Sequence, residues 1–409
     1  MVAPSSLSFQ LIILSTALTT LGLIFTFVAT ASHFRVLSSL PRPTVLYSAI
    51  IYVETSTHSA PNGNVKDNET VTLRQFLMHP DGYHLAMAPA FFGFYAYFGA
   101  LAALNEDVAP TTDNVGIVLP KSGFEEGNKT LLKSVAGASA GAMAAVLLSA
   151  GISPRRAAEF ASSLGLPQFA DPPGFGGVLK GDLFESLMKD FLESEVKARL
   201  KMEKEMESED GEEHYIGELL RLENSVIPVA VTGFDLLRMK GKVLKSGCMA
   251  RAARASATFP GLFQPVGWWE AGNNSRTKDG TISTLRTSTF IPPFLLIDGG
   301  IGDMYGIVGL SSLIPHESNK RIVNLVTGSF GVFGPPGPSD MPPGIHAKEV
   351  VSISILNTPD CGPWNMENGP RAVTAAERAI QASLDTPMSR GAEAGHYELH
   401  IDASGFIPN

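Results

Sequence analysis

A short serine-containing motif is the first feature that could carry chemistry. Residues 137–141 read Gly-Ala-Ser-Ala-Gly, between the strand-like stretch 131–135 and the helix-forming stretch 142–148. A G-x-S-x-G pattern between a strand and a helix is typical of a nucleophile elbow, because small flanking residues permit a sharp turn that exposes the serine. The N-terminus of the following helix then faces the hydroxyl. Ser139 is therefore the candidate nucleophile, although the pattern alone fits an ordinary strand-to-helix turn equally well.

A carboxylate that could serve as the base follows a second apolar segment. Asp298 comes directly after residues 294–297 and precedes Gly299 and Gly300. Polar groups just past a buried strand lie where α/β sheets place their chemistry. A serine hydroxyl is a weak nucleophile until a base takes its proton, and burial raises the pKa of a carboxylate, which makes that transfer less uphill. Asp298 is the candidate base, with a turn or cap role as the alternative.

Three motifs in one order relate the chain to a known family. Residues 137–141 supply G-x-S-x-G, residues 253–266 supply A-R-A-S-x-x-x-P-G-x-F-x-P-V, and residues 298–300 supply D-G-G. The chain resembles the patatin-like phospholipases, which are serine acyl hydrolases with a Ser-Asp dyad, from about residue 80 to its end. The resemblance implies catalysis by Ser139 and Asp298 on lipid esters, without a cofactor, in a three-layer α/β/α fold. It also implies that four glycines shape the two catalytic turns: Gly137, Gly141, Gly299 and Gly300.

The family's glycine-rich oxyanion loop has an unusual counterpart in residues 86–101, which keep only Gly93 and Gly99. An oxyanion hole needs backbone N–H groups aimed at the developing charge, and Pro89 has no N–H to donate. The resemblance therefore assigns the oxyanion and substrate contacts to other residues of this loop and to the residue after the nucleophile. These are Ala90, Phe91, Phe92, Gly93 and Ala140. The alternative is that the aromatic run only begins a buried helix.

The elements that must position these residues can be read from apolar runs. Short β-branched runs predict buried strands, and longer stretches between them predict helices. The predicted strands are 227–231, 295–297 and 322–326, and the predicted helices are 155–164, 181–200 and 373–384. Strands that alternate with helices indicate a mainly parallel sheet between helical layers. The α/β class follows from this pattern and agrees with the resemblance.

Composition narrows the range of partners. The 409 residues carry a net charge of −9, which argues against nucleic acid and against a strong overall attraction to anionic membranes, although local patches can differ. The resemblance implies a lipid substrate at a membrane or lipid-droplet surface. Trp268 and Trp269 fit either a membrane interface or packing against the domain. Cys248 and Cys361 allow one disulfide or none, no Cys/His cluster has the spacing of a metal site, and the oligomeric state stays open.

The N-terminal segment predicts a membrane or secretory element. Residues 7–31 are apolar and long enough to span a bilayer, and residues 29–31 have the small-x-small form of a signal cleavage site. Arg35 and Arg42 after the run would leave an uncleaved domain on the cytoplasmic side. Three N-x-S/T sequons favour a lumenal domain instead: Asn68, Asn128 and Asn273. We expect a signal or anchor in 1–34, a linker in 35–78 and the hydrolase domain in 79–409, on the secretory route or membrane-anchored.

Two other functions fit parts of the pattern. The order Ser, Asp, His permits an α/β-hydrolase esterase whose triad is completed by one of four histidines. The candidates are His316, His346, His396 and His400. The altered oxyanion loop permits a lipid-binding relative that has lost catalysis. Retention of both Ser139 and Asp298 favours an active enzyme.

Overall fold

The computed structural model describes the following residues: 70–106, 115–116, 118–119, 129–203, 215–269, 293–314, 320–328, 334–362 and 365–408. The chain divides into a unit of residues 1–69 and a compact unit from Thr70 onward. The predicted anchor, the three sequons and His316 lie outside the described residues, so the secretory or membrane-anchored route stays a prediction. Helix α1 (Leu73–Leu77) buries Leu73, Phe76 and Leu77, and it therefore adds the end of the predicted linker to the folded unit.

A ten-stranded sheet forms the centre of the described part of the chain, in the order β13-β14-β12-β11-β1-β4-β6-β10-β9, with β7 paired to β6. The strands are β1 (Tyr83–Met87), β2 (Val115–Gly116), β3 (Lys129–Thr130), β4 (Leu132–Ala138), β5 (Gly177–Leu179), β6 (Val229–Asp235), β7 (Lys240–Leu244), β8 (Gly261–Phe263), β9 (Val266–Trp268), β10 (Phe294–Ile297), β11 (Lys320–Thr327), β12 (Ala347–Leu356), β13 (Ser389–Arg390) and β14 (His396–Asp402). Strands β14, β12, β11, β1, β4 and β6 pair in parallel. The predicted α/β fold with a mainly parallel sheet is confirmed.

Side chains of the central strands are buried on both faces of the sheet, as parallel sheets require. Leu85 and Val135 face the larger core, whereas Ala86 and Ala136 face a smaller one beside Leu310. In the described residues the larger core is formed with α-helices and the smaller one with short 3-10 turns. The helices are α1, α2 (Phe94–Glu106), α3 (Ala140–Ser149), α4 (Pro154–Ser163), α5 (Leu166–Phe169), α6 (Asp182–Glu203), α7 (Met249–Ser256) and α8 (Gly369–Ser383).

Strand register brings the candidate residues to one edge of the sheet. Met87, Gly137 and Val231 lie side by side on β1, β4 and β6, so the loops that follow β1 and β4 meet, whereas β6 continues to Asp235. Strand β10 runs antiparallel to β6, with Ile297 opposite Phe234. Its end therefore returns to the same edge and delivers Asp298 beside the end of β4.

Two further findings concern the described residues alone. None of the helices there has both the length and the hydrophobicity of a membrane-spanning segment. Cys248 and Cys361 are both free thiols, so of the two alternatives left by the sequence the structure has no disulfide between them.

Candidate active site

Ser139 occupies a strained turn between β4 and α3. Its backbone angles are φ 54° and ψ −121°, in a region where a non-glycine residue costs about 1–3 kcal/mol. Two close approaches explain the flanking glycines. A Cβ on Gly137 would lie 2.3 Å from the Gly141 carbonyl oxygen, and one on Gly141 would lie 2.2 Å from the Met87 carbonyl oxygen. Larger residues at either position would push α3 away from the sheet and unfold the elbow.

The Ser139 hydroxyl donates directly to the candidate base. Its Oγ lies 2.7 Å from Asp298 Oδ2, although the two residues are 159 positions apart. The Gly300 N–H donates to the other carboxylate oxygen at 2.8 Å, which fixes the carboxylate plane. Ser139 is 9% exposed and Asp298 is 6% exposed. The two side chains thus form a buried, oriented Ser–Asp pair.

Burial sets the acidity of this pair. Desolvation raises the pKa of Asp298 from 3.8 to about 6, and the hydrogen bonds from Ser139 and Gly300 partly oppose the rise. A base is most effective when its pKa lies near the working pH. Asp298 is therefore ionised at neutral pH but holds a proton much better than an ordinary aspartate does, which suits a group that must take a proton from a hydroxyl.

Sequence reasoning missed a serine that holds the elbow in place. The Ser139 N–H donates to Ser256 Oγ at 2.9 Å, and the Ser256 hydroxyl donates to the Thr232 carbonyl at 2.6 Å. Ser256 is fully buried at the end of α7. It is the serine of the A-R-A-S motif, so the signal was present in the sequence without a role attached. The Ser139 N–H is consequently not available as an oxyanion donor.

Replacing Ser256 tests this support. Ser256→Ala leaves the buried Ser139 N–H without an acceptor, which costs about 1–3 kcal/mol, and frees the elbow, so kcat should fall about tenfold or more. Ser149→Ala is the matched control: its buried Oγ donates to the Val146 carbonyl, which already accepts the Ala150 N–H. The kcat for ester hydrolysis and the temperature of thermal unfolding should be measured for both variants. Equal activity in the two variants would contradict a positioning role for Ser256.

A buried arginine from the same motif braces one wall of the site. Arg254 donates to the carbonyl oxygens of Gly181 at 2.9 Å, Lys180 at 2.6 Å and Gln264 at 2.8 Å. Its pKa is lowered to about 10, chiefly by burial, so the guanidinium stays charged. These contacts join the start of α6 to β8, two elements that supply Phe184 and Phe263 to the cleft.

The loop after β1 lies beside Ser139, as the oxyanion assignment requires. Ala90, Phe91 and Phe92 border the cleft, and a Cβ on Gly300 would lie 2.7 Å from Pro89, so this loop touches the turn that carries Asp298. In the described part of the chain no backbone acceptor takes the N–H of Ala90 or Phe91. These two N–H groups, together with those of Phe92 and of Ala140 at the start of α3, stay predicted oxyanion donors.

Gly93 needs a correction, because its N–H donates to the Ala90 carbonyl at 3.1 Å and closes a turn. In this conformation it is not an oxyanion donor. Its small size still matters, since a Cβ there would lie 2.5 Å from Thr327 Oγ1 and 2.7 Å from Ala90 Cβ. Phe92 takes up the backbone strain instead, with φ 49°. The loop is thus a tight turn before helix α2 rather than a simple helix start.

An open cleft leads to the Ser–Asp pair. Its walls are apolar, and the only ionisable side chain among its described lining residues is Asp298. The aromatic and aliphatic walls come from the loop after β1, from α2, α3 and α6, and from residues 257–263. The larger side chains are Phe91, Phe92, Phe94, Met143, Phe184, Phe259, Leu262 and Phe263. Such a lining favours a hydrocarbon chain over a charged group.

The described candidate histidines lie far from Ser139. His396 and His400 are on β14, four strand spacings from β4, or about 19 Å. His346 precedes the start of β12, and its carbonyl accepts the Lys320 N–H at the opposite edge of the sheet. Within the described ranges neither Ser139 nor Asp298 has a histidine partner. The arrangement thus does not support a triad through these three residues.

In the described ranges, no three His, Cys, Asp or Glu side chains lie together as metal ligands would.

Comparison with known proteins adds a family and two structures. The family described as patatin-like phospholipase matches residues 90–310, more than half of the chain. VipD from Legionella pneumophila is 14% identical, over 83% of this chain and 73% of that chain, with a TM-score of 0.47. The heterodimeric ExoU–SpcU complex from the type III secretion system of Pseudomonas aeruginosa contains a chain that is 14% identical, over 82% of this chain and 60% of that chain, with a TM-score of 0.38. This chain thus spans less than two thirds of the latter. No curated protein matches.

Proposed function

The chain belongs to the patatin-like phospholipase family, and from this premise we propose that it is a serine acyl hydrolase that cleaves carboxylic esters of membrane or storage lipids. Membership supports lipid hydrolysis in general. The observation that carries the finer proposal is the 2.7 Å hydrogen bond between Ser139 Oγ and the buried Asp298 carboxylate, at the end of an apolar cleft.

The proposed reaction begins with an acyl chain in the cleft and its ester carbonyl beside Ser139. Asp298 takes the hydroxyl proton while Ser139 Oγ attacks the carbonyl carbon. N–H groups from Ala90, Phe91, Phe92 and Ala140 are the proposed donors that stabilise the oxyanion. Collapse breaks the ester bond, and Asp298 returns its proton to the departing alcohol. Asp298 then activates a water that attacks the acyl-serine and releases the fatty acid.

The lining of the cleft supports the choice of acyl chain as the bound group. A phosphate held inside would face apolar side chains and the Asp298 carboxylate, which repels anions. We propose that the headgroup stays outside the cleft while the hydrocarbon chain enters it. Headgroup identity then has little influence on the chemical step.

The rate should depend on pH through Asp298. Only the ionised carboxylate can accept the Ser139 proton, and its pKa is about 6. The kcat/KM for a soluble ester should therefore fall about tenfold per pH unit below pH 6 and level off above it. A pH series with a short-chain ester, where lipid packing has no influence, measures this. A midpoint near the ordinary aspartate value of 3.8 would contradict the raised pKa.

Release of free fatty acids from a mixture of membrane and storage lipids tests the proposed function. The wild-type protein should release fatty acids that Ser139→Ala does not release, and mass spectrometry of the remaining lipids would identify the class consumed. Identical lipid profiles for the two proteins, together with absent hydrolysis of soluble esters, would favour the lipid-binding relative without catalysis.

A further inference from the structure

The hairpin of β6 and β7 and the end of β9 extend past Ser139 and carry exposed apolar side chains. Leu237 and Met239, in the turn between β6 and β7, are 56% and 70% exposed. Trp269 directly follows β9 and is 51% exposed. Large apolar side chains that are exposed close together can mark a site of contact with a protein or a membrane. None of the three lines the catalytic cleft.

Strand register shows that these side chains project past Ser139 on the same side of the molecule. Thr232 on β6 pairs with Ala138, the residue before Ser139, and the hairpin turns only after Asp235 pairs with Lys240. The tip therefore lies on the order of 15 Å beyond Ser139. Strand β9 runs parallel to β6, because both pair antiparallel with β10, so Trp269 emerges at the same end.

Positive charge surrounds the apolar tip. Residues 229–246 contain Arg238, Lys240, Lys242 and Lys245 but only one carboxylate, Asp235. Asp235 is buried and bound by Arg238 at 2.8 Å. The Arg238 and Lys242 cations lie over the Phe294 ring, at 4.5 Å and 4.3 Å from its centre. In a chain with a net charge of −9, this is a local excess of cations around exposed apolar side chains.

These features point to one kind of surface. Tryptophan favours the boundary between water and lipid, leucine and methionine favour the acyl chains, and lysine and arginine near an anionic leaflet each add attraction. We propose that a docking rim, defined as Leu237, Met239 and Trp269 with Arg238, Lys240 and Lys242, inserts into the surface of an anionic phospholipid bilayer. This inference rests on the proposed function in one respect, namely that the substrate is taken from a lipid surface.

The rim and the cleft are joined by the turn that carries Asp298. A Cβ on Gly302 would lie 3.2 Å from Gly241 Cα in the hairpin, and Ile301 beside it is half exposed. On its other side the same turn touches the loop of Phe91, which lines the cleft and is half exposed. Docking by the rim therefore turns the mouth of the cleft towards the bilayer, so that an acyl chain reaches Ser139 with little exposure to water.

Vesicle binding by the Ser139→Ala protein tests the rim without consuming the lipid. Phosphatidylcholine vesicles with and without phosphatidylserine are sedimented with this parent protein at low and high salt. The parent should bind the anionic vesicles more tightly, and salt should weaken that binding. Lys240→Glu in the parent should weaken it about tenfold. Leu237→Ser with Met239→Asn should weaken it by a similar factor or more, and asparagine tolerates the left-handed φ of 51° at position 239.

Matched controls lie near the opposite edge of the sheet. Met78→Asn is the control for the change at Met239, because Met78 is also a partly exposed methionine and lies before β1. Lys348→Glu is the control for Lys240→Glu, because Lys348 lies near the start of β12. Both controls should bind like the parent. Equal binding to the two kinds of vesicle would overturn the proposal. Unchanged binding by the rim variants, or equal losses in the controls, would also overturn it.

Hydrolysis of a soluble ester separates this inference from the proposed function. With Ser139 restored, the rim variants should keep wild-type kcat/KM on the soluble ester and lose activity only on anionic vesicles. If the soluble ester is not hydrolysed by the wild type, the proposed function fails while the binding experiment still decides the rim. If rim variants lose both activities equally, the rim serves the fold and the docking proposal is wrong.

Discussion

Ser139→Ala should reduce kcat for ester hydrolysis by a factor on the order of 10⁶, judging by the loss of a catalytic serine in other hydrolases. Among the residues that the structure describes, the Ser139 hydroxyl is the only nucleophile hydrogen-bonded to Asp298 Oδ2, at 2.7 Å. Covalent labelling by a fluorophosphonate probe should disappear as well, because only an activated serine reacts readily with it. Steady-state kinetics and labelling measure the two effects independently.

The fold should survive this substitution. Alanine keeps the backbone of the elbow, and the change removes one hydroxyl, so the free energy of unfolding should change by about 1 kcal/mol or less. Ser149→Ala on α3 is a control for the loss of a buried serine hydroxyl that has no catalytic role. Hydrolysis by a folded Ser139→Ala protein at the wild-type rate would remove Ser139 from the mechanism.

Asp298→Asn should lower kcat on the order of 10³-fold or more, because an amide of nearly the same shape cannot accept the Ser139 proton. The double variant Ser139→Ala/Asp298→Asn should be no less active than Ser139→Ala alone, since the two side chains act as a unit. Additive losses in kcat would mean that Asp298 acts independently of Ser139.

The Asp298→Asn variant should lose activity but gain stability at alkaline pH, so a measurement of its stability separates a catalytic loss from unfolding. Folding raises the pKa of Asp298 to about 6, so the folded protein favours the neutral carboxyl. The contribution of the Asp298 carboxyl to the free energy of unfolding is therefore stabilising below about pH 4. This contribution, of about 3 kcal/mol, is lost as the pH rises through 6. Asparagine is neutral throughout. At pH 8 the variant should therefore unfold at a higher temperature than the wild type while being nearly inactive.

Histidine variants separate the dyad from a triad. Single alanine replacements at His316, His346, His396 and His400 should each leave substantial activity. His396 is buried, so His396→Ala should be compared per folded molecule. One histidine variant as inactive as Asp298→Asn would restore the triad interpretation.

Much of the site follows from short stretches of sequence, because its parts are local. The elbow is recognisable from Gly137, Ser139 and Gly141 together with a flanking strand and helix, and this signal spans only a short stretch of sequence. The position of Asp298 after an apolar strand is equally local. The central strands and the α/β class follow from apolar runs for the same reason, since a buried strand is itself a run of apolar residues.

Tertiary structure gives different roles to two carboxylates that follow the same strand. Asp298 and Asp303 follow the same strand and are both buried. Asp298 faces Ser139, whereas Asp303 accepts from Thr232 Oγ1 and from the N–H groups of Ile307 and Val308. Which aspartate meets the serine depends on the antiparallel pairing of β10 with β6, and thus on register between segments far apart in the chain.

The same limit applies to the supports of the site. Ser256 accepts the Ser139 N–H across 117 positions, and Gly93 lost its predicted donor role to a turn bond with Ala90. The distance of His396 and His400 from Ser139, and the emergence of Leu237, Met239 and Trp269 on the catalytic side, depend on strand order. The sequence alone therefore determined the reactive residue types and their local turns. Tertiary structure decided their partners, because hydrogen bonds and surfaces between distant segments exist only after the sheet has set its order and register.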